Sequence, residues 1–408
     1  MQILFYYFPG ALWLTCFFAG RTSLGKAALR IFFYTADYLS KLSHHPTRKW
    51  LMGADMQILH VVGARPNFMK VAPVRAALQD RNGVRQVLVH TGQHYDAFMS
   101  DIFFRQLGIP EPDYNLEVGS GSHAQQTAEI MMRVEPVILE AKPDMVLVYG
   151  DVNSTVAAAL VCSKLLVPIG HVEAGLRSFD RTMPEEINRV LTDRVADLLL
   201  TPSVDGNENL IHEGISADKI HLVGNVMIDT LIRLLPLADS NAPEKSSYAL
   251  VTMHRPSNVD DPAGLRRILA ALNEIAEGIR IIFPVHPRTR QMMQKLTNAV
   301  LAPNLNLVDP IGYIQFLGLQ RRAAFVITDS GGIQEETTFL GVPCLTVREN
   351  TERPITVSMG SNILVGHDMN RLKLESQKIL AGNRKTGSVP PLWDGSAGRR
   401  IADVLIKN

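Results

Sequence analysis

Reactive side chains are densest between residues 168 and 197. A short apolar run leads into His171 and Glu173, and a glycine-containing loop follows. A helix is predicted to begin at Pro184, because proline suits the first helical turn. A rigid helix start that faces a strand-end loop can place two carboxylates around a small ligand. The loop and the helix start add further charged groups: Arg177, Asp180, Arg181, Glu185 and Glu186.

Glu185 and Glu186 also have a simpler interpretation. Acidic side chains in a first turn stabilise the helix dipole, so both can be helix-start residues alone. Positions 187, 190, 191, 194, 195 and 198 recur at helical spacing and predict an apolar stripe. We expect this stripe to pack on the core and to hold the helix start rigidly.

Other predicted strands also end in polar loops. Arg65 and Lys70 follow the first strand beside Gly63, and both are donors suited to phosphate. Asp151 follows a later strand, where it either caps the next helix or takes part in chemistry. His254 lies at the tip of a strand in the second half of the chain, as a structural hydrogen-bonding group or as a catalyst.

The strongest local signal lies at residues 326–336. A strand is followed by Asp329, Ser330 and two glycines, and then by a helix with carboxylates. Such a loop binds a diphosphate on backbone N–H groups, while a glutamate binds ribose hydroxyls. The sequence lacks the His-Glu-x-x-His, Walker lysine and Cys-x-x-Cys patterns, so we expect neither a metal nor another cofactor.

The elements that carry these loops alternate apolar runs with amphipathic segments, which predicts parallel strands joined by helices. Strands are predicted at 58–62, 86–89, 145–149, 168–172 and 197–201, then at 249–252, 281–285, 305–307, 325–328 and 344–347. The expected fold is α/β, with two Rossmann-like doubly wound domains facing a central cleft. We expect domains at 56–235 and 236–390, and a C-terminal helix at 391–408.

The first 55 residues differ in composition from the rest. Residues 1–20 carry no charge and are long enough to cross a bilayer, which takes about 20 residues. Three interpretations stay open: a non-native extension, a membrane anchor with the remaining chain in the cytoplasm, and a cleaved targeting segment. Contact with a membrane is expected only if this segment is an anchor.

Composition restricts the partners and the compartment. The formal charge is +1 and no basic run contains interleaved aromatic residues, so nucleic acid is not an expected partner. The three cysteines are far apart and odd in number, which favours a reducing compartment over a disulfide framework. A cytoplasmic location is therefore expected.

The ordered motifs resemble the non-hydrolysing UDP-N-acetylglucosamine 2-epimerase family from Met56 to about Val365. They are Gly-Ala-Arg-Pro-Asn, Gly-Asp-Val-Asn-Ser-Thr, Gly-His-Val-Glu-Ala-Gly-Leu-Arg, Pro-Glu-Glu-Ile-Asn-Arg, Asp-Ser-Gly-Gly-Ile-Gln-Glu-Glu and Thr-Glu-Arg-Pro. The resemblance implies an isomerase with the GT-B-like fold of many nucleotide-sugar glycosyltransferases, usually a homodimer. It also implies interconversion of UDP-N-acetylglucosamine and UDP-N-acetylmannosamine for bacterial surface polysaccharides, by elimination and re-addition of UDP.

The same resemblance implies roles for particular residues. Asp151, Glu173 and Glu185 match the family's acid–base groups, and His254 its active-site histidine. Glu336 matches the ribose contact and Phe316 the contact beside uracil. The remaining substrate and phosphate contacts are matched by Arg65, Lys70, Ser330, Gly331, Gly332 and Arg353.

Other functions remain open at this point. A related epimerase of a UDP-diacetamido-uronic acid has the same motifs, because they do not determine the substituents at C3 and C6 of the sugar. A GT-B-fold glycosyltransferase and a hydrolysing epimerase are further enzyme alternatives. A non-catalytic nucleotide-sugar sensor is the alternative from another class, although a sensor has no need of three carboxylates in one cleft.

Overall fold

The structure, a computed structural model, describes residues 56–93, 107–240, 247–296 and 300–407. The first half contains β1 (Met56–Val62), α1 (Arg65–Gln79), β2 (Val84–His90), β3 (Tyr114–Asn115), α2 (His123–Ala141), β4 (Met145–Tyr149), α3 (Asn153–Leu165), β5 (Ile169–Val172), α4 (Pro184–Val195), β6 (Leu198–Thr201), α5 (Val204–His212), a 3-10 turn (Ala217–Lys219), β7 (Ile220–Leu222) and α6 (Val226–Ser240). The second half contains β8 (Tyr248–Thr252), α7 (Pro256–Val259), α8 (Pro262–Ala276), β9 (Arg280–Pro284), α9 (Pro287–Gln294), β10 (Leu305–Val308), α10 (Tyr313–Arg322), β11 (Phe325–Thr328), α11 (Gly331–Leu340), β12 (Cys344–Thr346), α12 (Ile355–Ser358), β13 (Asn362–Leu364), α13 (Met369–Leu380) and α14 (Ala397–Lys407).

The described strands form two parallel sheets, which confirms the predicted fold class. The first sheet has the order β3-β2-β1-β4-β5-β6-β7, and the second has the order β10-β9-β8-β11-β12-β13. Their central strands are mostly apolar, as expected for strands that helices cover on both faces, and Gln57 and His60 of β1 are buried exceptions. In β4 all five residues are buried. The strand order and the parallel pairing together give two doubly wound halves.

Each sheet has one point where the strand order reverses. In the first sheet it lies between β1 and β4, and in the second between β8 and β11. Ligands of open α/β sheets bind outside the carboxyl ends of the strands at such a point. The loops at these ends are residues 63–64, 150–152, 253–255 and 329–330, which are the polar loops singled out in the sequence.

The C-terminal segment returns to the first half of the chain. Helix α6 contacts α1 as well as α10 and α11, and α14 packs on α1 and α6. Trp393 is buried against Ile228 and Ile355, and its indole N–H donates to the carbonyl of Pro202 at 2.9 Å. Asp229 accepts hydrogen bonds from the backbone N–H groups of two residues that begin α14, Ala397 (3.1 Å) and Gly398 (2.8 Å). These contacts attach α14 to both α1 and α6.

Two sequence expectations differ from the structure. Strands β3, β7 and β13 were not predicted, since two or three residues are too few for a recognisable apolar pattern. The apolar stripe predicted along α4 is wrong: Val190 and Leu191 are exposed, while Glu186, Arg189 and Asp193 are buried. Helix α4 turns its polar face inward because those three side chains pair with buried ionic and polar groups.

The expected domain boundaries near 235 and 390 stay a prediction, and α6 runs continuously through the first of them.

Residues 1–55, including the apolar stretch and Cys16, lie outside the described part of the chain. In the described ranges, no helix is long and apolar enough to cross a membrane. Cys162 and Cys344 are buried free thiols.

We expect Gly398→Ala to destabilise the protein, although alanine normally stabilises a helix by up to about 1 kcal/mol relative to glycine. A Cβ atom at Gly398 would lie 2.6 Å from the carbonyl oxygen of Pro73 in α1, and backbone cannot move aside as a side chain can. The expected loss in the free energy of unfolding is about 1–3 kcal/mol, measured by denaturant titration.

Gly121→Ala is the matched control. A Cβ atom there would meet only the Gln125 side chain, at an ordinary 3.7 Å. This variant should keep the stability of the unmodified protein. If Gly398→Ala were as stable as Gly121→Ala, the close packing of α14 on α1 would be contradicted.

Candidate active site

A cavity of about 700 Å³ lies at the carboxyl ends of both sheets. A volume of roughly 300–1,000 Å³ is typical of sites for small molecules. The residues that line it from the first half are Ala64, Pro66, Met69, Lys70, Asp151, Val152, Glu185, Arg189 and Met227. Those from the second half include Thr252, His254, Arg255, His286, Ile311, Tyr313, Phe316, Ser330, Gly331, Gly332, Glu335, Glu336, Glu352 and Arg353.

Most of the residues selected from the sequence meet at this cavity. These are Lys70, Asp151, Glu185, His254, Phe316, Ser330, Gly331, Gly332, Glu336 and Arg353. Glu173 is buried beside the cavity and contacts two of its lining residues. Arg65 begins α1, but its side chain lies outside the described part of the structure. The roles assigned to all twelve stay predictions.

Asp151 is held by an arginine from α4. The Nε and Nη2 atoms of Arg189 donate to Oδ2 of Asp151 at 3.0 and 2.6 Å. Burial opposes ionisation of Asp151, yet Arg189, Lys70 and Arg353 outweigh burial and hold the pKa of this carboxyl below its ordinary value. Helix α3 begins at Asn153 after Val152 and has no side-chain cap, so Asp151 is not the cap of that helix.

The two adjacent glutamates of α4 have different environments. Glu186 is buried and accepts hydrogen bonds from the backbone N–H groups of Ser178 (2.9 Å) and Phe179 (3.0 Å) and from Nη1 of Arg189 (2.6 Å). It therefore fixes the loop that precedes α4. Glu185 is exposed and lines the cavity, where its carboxylate is accessible to a ligand.

Glu173 pairs with cations from both halves of the chain. Its Oε1 atom lies 2.8 Å from Nζ of Lys70 and 3.1 Å from Nη2 of Arg353. Its Oε2 atom is buried and has no hydrogen-bond partner among the described residues. Glu173 also has a φ of 74°, a left-handed conformation that is strained for a residue with a side chain. Backbone strain of this kind clusters at functional sites.

Arg353 lies at the centre of the buried charges. Its Nε atom is 2.8 Å from Oε1 of Glu335, its Nη2 atom contacts Glu173, and its Nη1 atom pairs with Oε1 of Glu352. These carboxylates outweigh the effect of burial and raise the pKa of Arg353. The Arg353 guanidinium lies so close to Gly331 that a Cβ atom at Gly331 would be 2.5 Å from its Nη1 atom. A side chain at the start of α11 would therefore displace the Arg353 and Glu352 groups.

Glu335 is a buried acid that was not selected from the sequence. Its Oε1 atom accepts a hydrogen bond from Asn225 at 3.0 Å, and its Oε2 atom is buried without a hydrogen-bond partner in the part of the chain that the structure describes. Burial raises the pKa of Glu335 to about 7; Glu173 adds to this rise, while Arg353 and Lys70 oppose it. The carboxyl therefore changes its charge near neutral pH.

His254 is oriented by an aspartate beneath it. Its Nδ1 atom lies 3.1 Å from Oδ1 of Asp329, while the side chain remains 43% exposed at the cavity. The Asp329 carboxylate also accepts the backbone N–H groups of His254 and Arg255 at 3.0 and 2.9 Å, and the side-chain amide of Asn258 at 3.1 Å. Burial disfavours the charge of Asp329, but His254 and these hydrogen bonds keep its pKa below its ordinary value.

Helix α11 begins at the cavity with Ser330 as its N-cap, and the Ser330 side chain makes no capping hydrogen bond. The backbone N–H groups of a first turn have no partner within the helix and attract an anion. Glu336 lies further along this helix and accepts a hydrogen bond from the Tyr313 hydroxyl at 2.8 Å. Phe316 adds an aromatic face beside them. Together these groups fit a nucleoside diphosphate.

Sequence reasoning missed several cavity residues. Arg189 lies four positions after Glu185, and residues at this spacing share a helix face, so the Pro-Glu-Glu-Ile-Asn-Arg motif contained a usable signal. Glu335 and Glu352 stand inside quoted motifs, but nothing in the sequence shows their pairing with Arg353.

Across the described ranges, no group of three or more His, Cys, Asp or Glu side chains could hold a metal ion.

Comparison with known proteins identifies the family. A family model described as UDP-N-acetylglucosamine 2-epimerase matches residues 76–406. The UDP-N-acetylglucosamine 2-epimerase of Methanococcus maripaludis is 43% identical over 362 residues, which cover 85% of this chain and 97% of the relative. The UDP-2,3-diacetamido-2,3-dideoxy-D-glucuronate 2-epimerase of Pseudomonas aeruginosa is 44% identical over 357 residues, which cover 86% of this chain and 100% of the relative.

Solved structures agree with this match. The crystal structure of the Methanocaldococcus jannaschii UDP-GlcNAc 2-epimerase, in complex with UDP-GlcNAc and UDP, has a TM-score of 0.79 at 40% identity and covers 86% of this chain and 100% of its own. A lipopolysaccharide outer core galactosyltransferase, 12% identical with a TM-score of 0.53 over 86% of this chain and 99% of its own, shares the fold alone. The GT-B-like fold and the isomerase class expected from the sequence are confirmed, and the chain belongs to the UDP-N-acetylglucosamine 2-epimerase family.

Proposed function

We propose that this protein interconverts UDP-N-acetylglucosamine and UDP-N-acetylmannosamine by eliminating UDP and adding it back. One observation carries the proposal: two accessible carboxylates, Asp151 and Glu185, line the same cavity as the start of α11. Inversion at C2 needs proton-transfer groups, and expulsion of UDP needs an anion site. As the resemblance implies, the product would supply bacterial surface polysaccharide synthesis.

The reaction consists of two balanced steps. In the first, a carboxylate takes the proton from C2, the bond between C1 and the diphosphate oxygen breaks with its electron pair, and a C1–C2 double bond forms. In the second, a carboxyl group delivers a proton to the opposite face of C2, and the retained UDP bonds again to C1. Asp151 and Glu185 come from different elements, the β4 loop and α4, which suits proton transfer at two faces of the sugar.

Charge develops on the departing diphosphate, so its stabilisation governs the elimination. The start of α11 supplies backbone N–H groups, and Lys70, Arg255 and Arg353 supply positive charge at the cavity wall. The three guanidinium nitrogens of Arg353 already face carboxylates, so this residue acts on the diphosphate through its charge in the arrangement seen here. The expected ribose and uracil contacts are Glu336 and Phe316.

The direct test is incubation with UDP-N-acetylglucosamine in deuterated water, followed by NMR. UDP-N-acetylmannosamine with deuterium at C2 is the expected product. Release of free N-acetylmannosamine would point to a hydrolysing epimerase. A lack of change until an acceptor is added would point to a glycosyltransferase, and binding without deuterium incorporation would point to a sensor.

A second substrate follows from one specific observation. The Pseudomonas aeruginosa relative that is 44% identical acts, by its name, on a UDP-2,3-diacetamido-2,3-dideoxy-D-glucuronate. The same chemistry at C2 serves this sugar, which differs at C3 and C6. Parallel assays with both nucleotide sugars, compared as kcat/KM, would identify the preferred substrate.

We further propose a homodimer in the cytoplasm. Val190 and Leu191 on α4 and Met132 and Leu139 on α2 provide exposed apolar surface in the first half of the chain. The buried free thiols of Cys162 and Cys344 suit a reducing compartment. Light scattering tests the assembly: about twice the chain mass of 45.1 kDa is expected, and a mass of 45.1 kDa would contradict the dimer.

We expect Asp151→Asn, Glu173→Gln and Glu185→Gln each to lower turnover by about 100-fold or more, the range for a lost acid–base group. UDP affinity should persist, because most of the uridine and phosphate contacts are expected from the second half of the chain, at residues 330–332, Phe316 and Glu336. Turnover is measured by NMR and UDP affinity by calorimetry.

Glu277→Gln is the control for these variants, since Glu277 is exposed after α8 and does not line the cavity. It should turn over substrate like the unmodified enzyme. Near-normal turnover of Glu185→Gln would instead support the helix-start interpretation of that residue.

The pH dependence should report Glu335, whose pKa is raised to about 7. Below that pH the neutral carboxyl leaves the charge of Arg353 available to the diphosphate. Above it, ionised Glu335 offsets that charge, so kcat/KM should fall as pH rises through about 7. Glu335→Gln stays neutral, and its kcat/KM should lack this decline.

Glu277→Gln should retain the decline of the unmodified enzyme, because the exposed Glu277 has no contact with Arg353. A UDP-sugar has fixed diphosphate charge near neutral pH, so the substrate does not contribute a similar step. An identical decline in Glu335→Gln would show that another group controls it.

A further inference from the structure

His171 is fully buried and does not line the cavity, although the sequence placed it among the reactive residues. Its Nδ1 atom lies 2.6 Å from Oδ1 of Asp193, and its Nε2 atom lies 2.8 Å from the carbonyl oxygen of Gly150. Each ring nitrogen thus lies at hydrogen-bonding distance from a buried partner. Any function of His171 must act through the groups that it holds.

The Gly150 carbonyl determines that one ring nitrogen of His171 carries a hydrogen. A carbonyl oxygen only accepts, so Nε2 carries a hydrogen and donates to Gly150. Burial disfavours the charge of Asp193, but His171 and Arg177 outweigh it and keep the pKa of Asp193 below its ordinary value. The Asp193 carboxylate contacts the other ring nitrogen, Nδ1, at 2.6 Å. Both ring nitrogens of His171 are therefore used in bonds to these two partners.

The pair continues as a chain of alternating charges. Nη1 of Arg177 lies 2.7 Å from Oδ2 of Asp193. Nε and Nη2 of Arg177 donate to the two carboxylate oxygens of Glu213 at 2.7 and 2.8 Å. His171, Asp193 and Arg177 are each at most 2% exposed. The chain joins β5, α4 and the end of α5 beneath the cavity.

The same groups hold the two loops that carry the expected acid–base residues. Gly150, whose carbonyl binds His171, directly precedes Asp151. Oδ2 of Asp193 accepts the backbone N–H of Gly175 at 3.1 Å, and Glu173 lies between His171 and Gly175. Glu173 has a left-handed φ of 74°, which a residue with a side chain keeps only where its surroundings enforce it.

We propose that His171 and Asp193 are positioning residues that tie the Asp151 loop to the Glu173 loop. The pair holds one backbone group next to Asp151 and one near Glu173, so it fixes the spacing of the two carboxylates. A buried ion pair need not stabilise a protein. The fixed spacing of Asp151 and Glu173 is a separate reason for this one. The inference rests on the proposed acid–base function of these carboxylates.

The test compares His171→Gln with His60→Gln. A glutamine amide can bind Gly150 or Asp193 but cannot reproduce both bonds of the imidazole ring. Turnover of UDP-N-acetylglucosamine should fall about 10- to 100-fold, because small displacements of reacting groups have effects of this size. KM should stay unchanged, since most of the expected nucleotide contacts lie in the second half of the chain.

His60 is the matched control. It is also fully buried on a central strand of the first sheet and makes two hydrogen bonds, to the Tyr149 hydroxyl (2.7 Å) and to Oε1 of Gln86 (3.1 Å). Neither bond reaches the Gly150 carbonyl or the 173–175 loop. His60→Gln should keep the turnover of the unmodified enzyme. Equal losses of turnover in both variants, or a rise in KM for His171→Gln, would overturn the proposal.

Two measurements do not depend on activity. Nitrogen-15 NMR of the unmodified protein should show a ring N–H at Nε2 of His171, the atom that donates to the Gly150 carbonyl, and an Nε2 without hydrogen would overturn the proposal. Hydrogen exchange at the Gly175 amide should accelerate in His171→Gln and not in His60→Gln. If the unmodified protein fails to epimerise but both signatures are present, the proposed function is wrong while the link between the loops stands.

Discussion

The burial of the Arg353 charge is the constraint on which the cavity depends. A guanidinium removed from water needs partners, and Arg353 has three carboxylates around it: Glu173, Glu335 and Glu352. Glu173 belongs to the first half of the chain, whereas the other two belong to the second. Removing one partner of a buried pair leaves the other charge uncompensated, so these segments are bound to one arrangement. The position of Glu173 is thereby set from across the cavity.

The partners of Arg353 extend this order to the rest of the site. Lys70 shares Glu173, and Arg348 binds Glu352 at 2.7 Å. Burial strengthens such interactions, since the low dielectric leaves charges poorly screened. Asp151 and Glu185, the acids proposed for proton transfer, belong to the first half of the chain, whereas the helix start that suits an anion belongs to the second. In the proposed reaction, proton transfer and most of the stabilisation of the leaving anion would thus come from different halves.

The sequence predicted the parts of this molecule that depend on local patterns. Continuous apolar runs gave the central strands, and Pro184 gave the start of α4, because both follow from short-range chemistry. The alternation of strands and helices also predicted both doubly wound sheets. The edge strands β3, β7 and β13 were not predicted, because each has only two or three residues and therefore shows no clear apolar run.

Contacts between distant residues explain what could not be predicted at the site. Glu335 and Glu336 are adjacent in sequence, yet one pairs with Arg353 and the other with Tyr313. Only the position of α11 against its neighbours decides which carboxylate takes which partner. Likewise, Asp151 could equally well have capped α3, and it is the approach of Arg189 from α4 that selects its environment.

Helix α4 shows how the demands of the site override the usual distribution of residues. Its buried positions hold Glu186, Arg189 and Asp193, which fix a loop, a cavity carboxylate and the ring of His171. A helix that turns this set inward must turn its apolar residues elsewhere, so Val190 and Leu191 face outward. The helical period that predicted a buried stripe was therefore correct about amphipathicity and wrong about its direction. The exposed apolar surface of α4 is a consequence of the polar site behind it, which links the expected subunit contact to the chemistry of the cavity through a single helix.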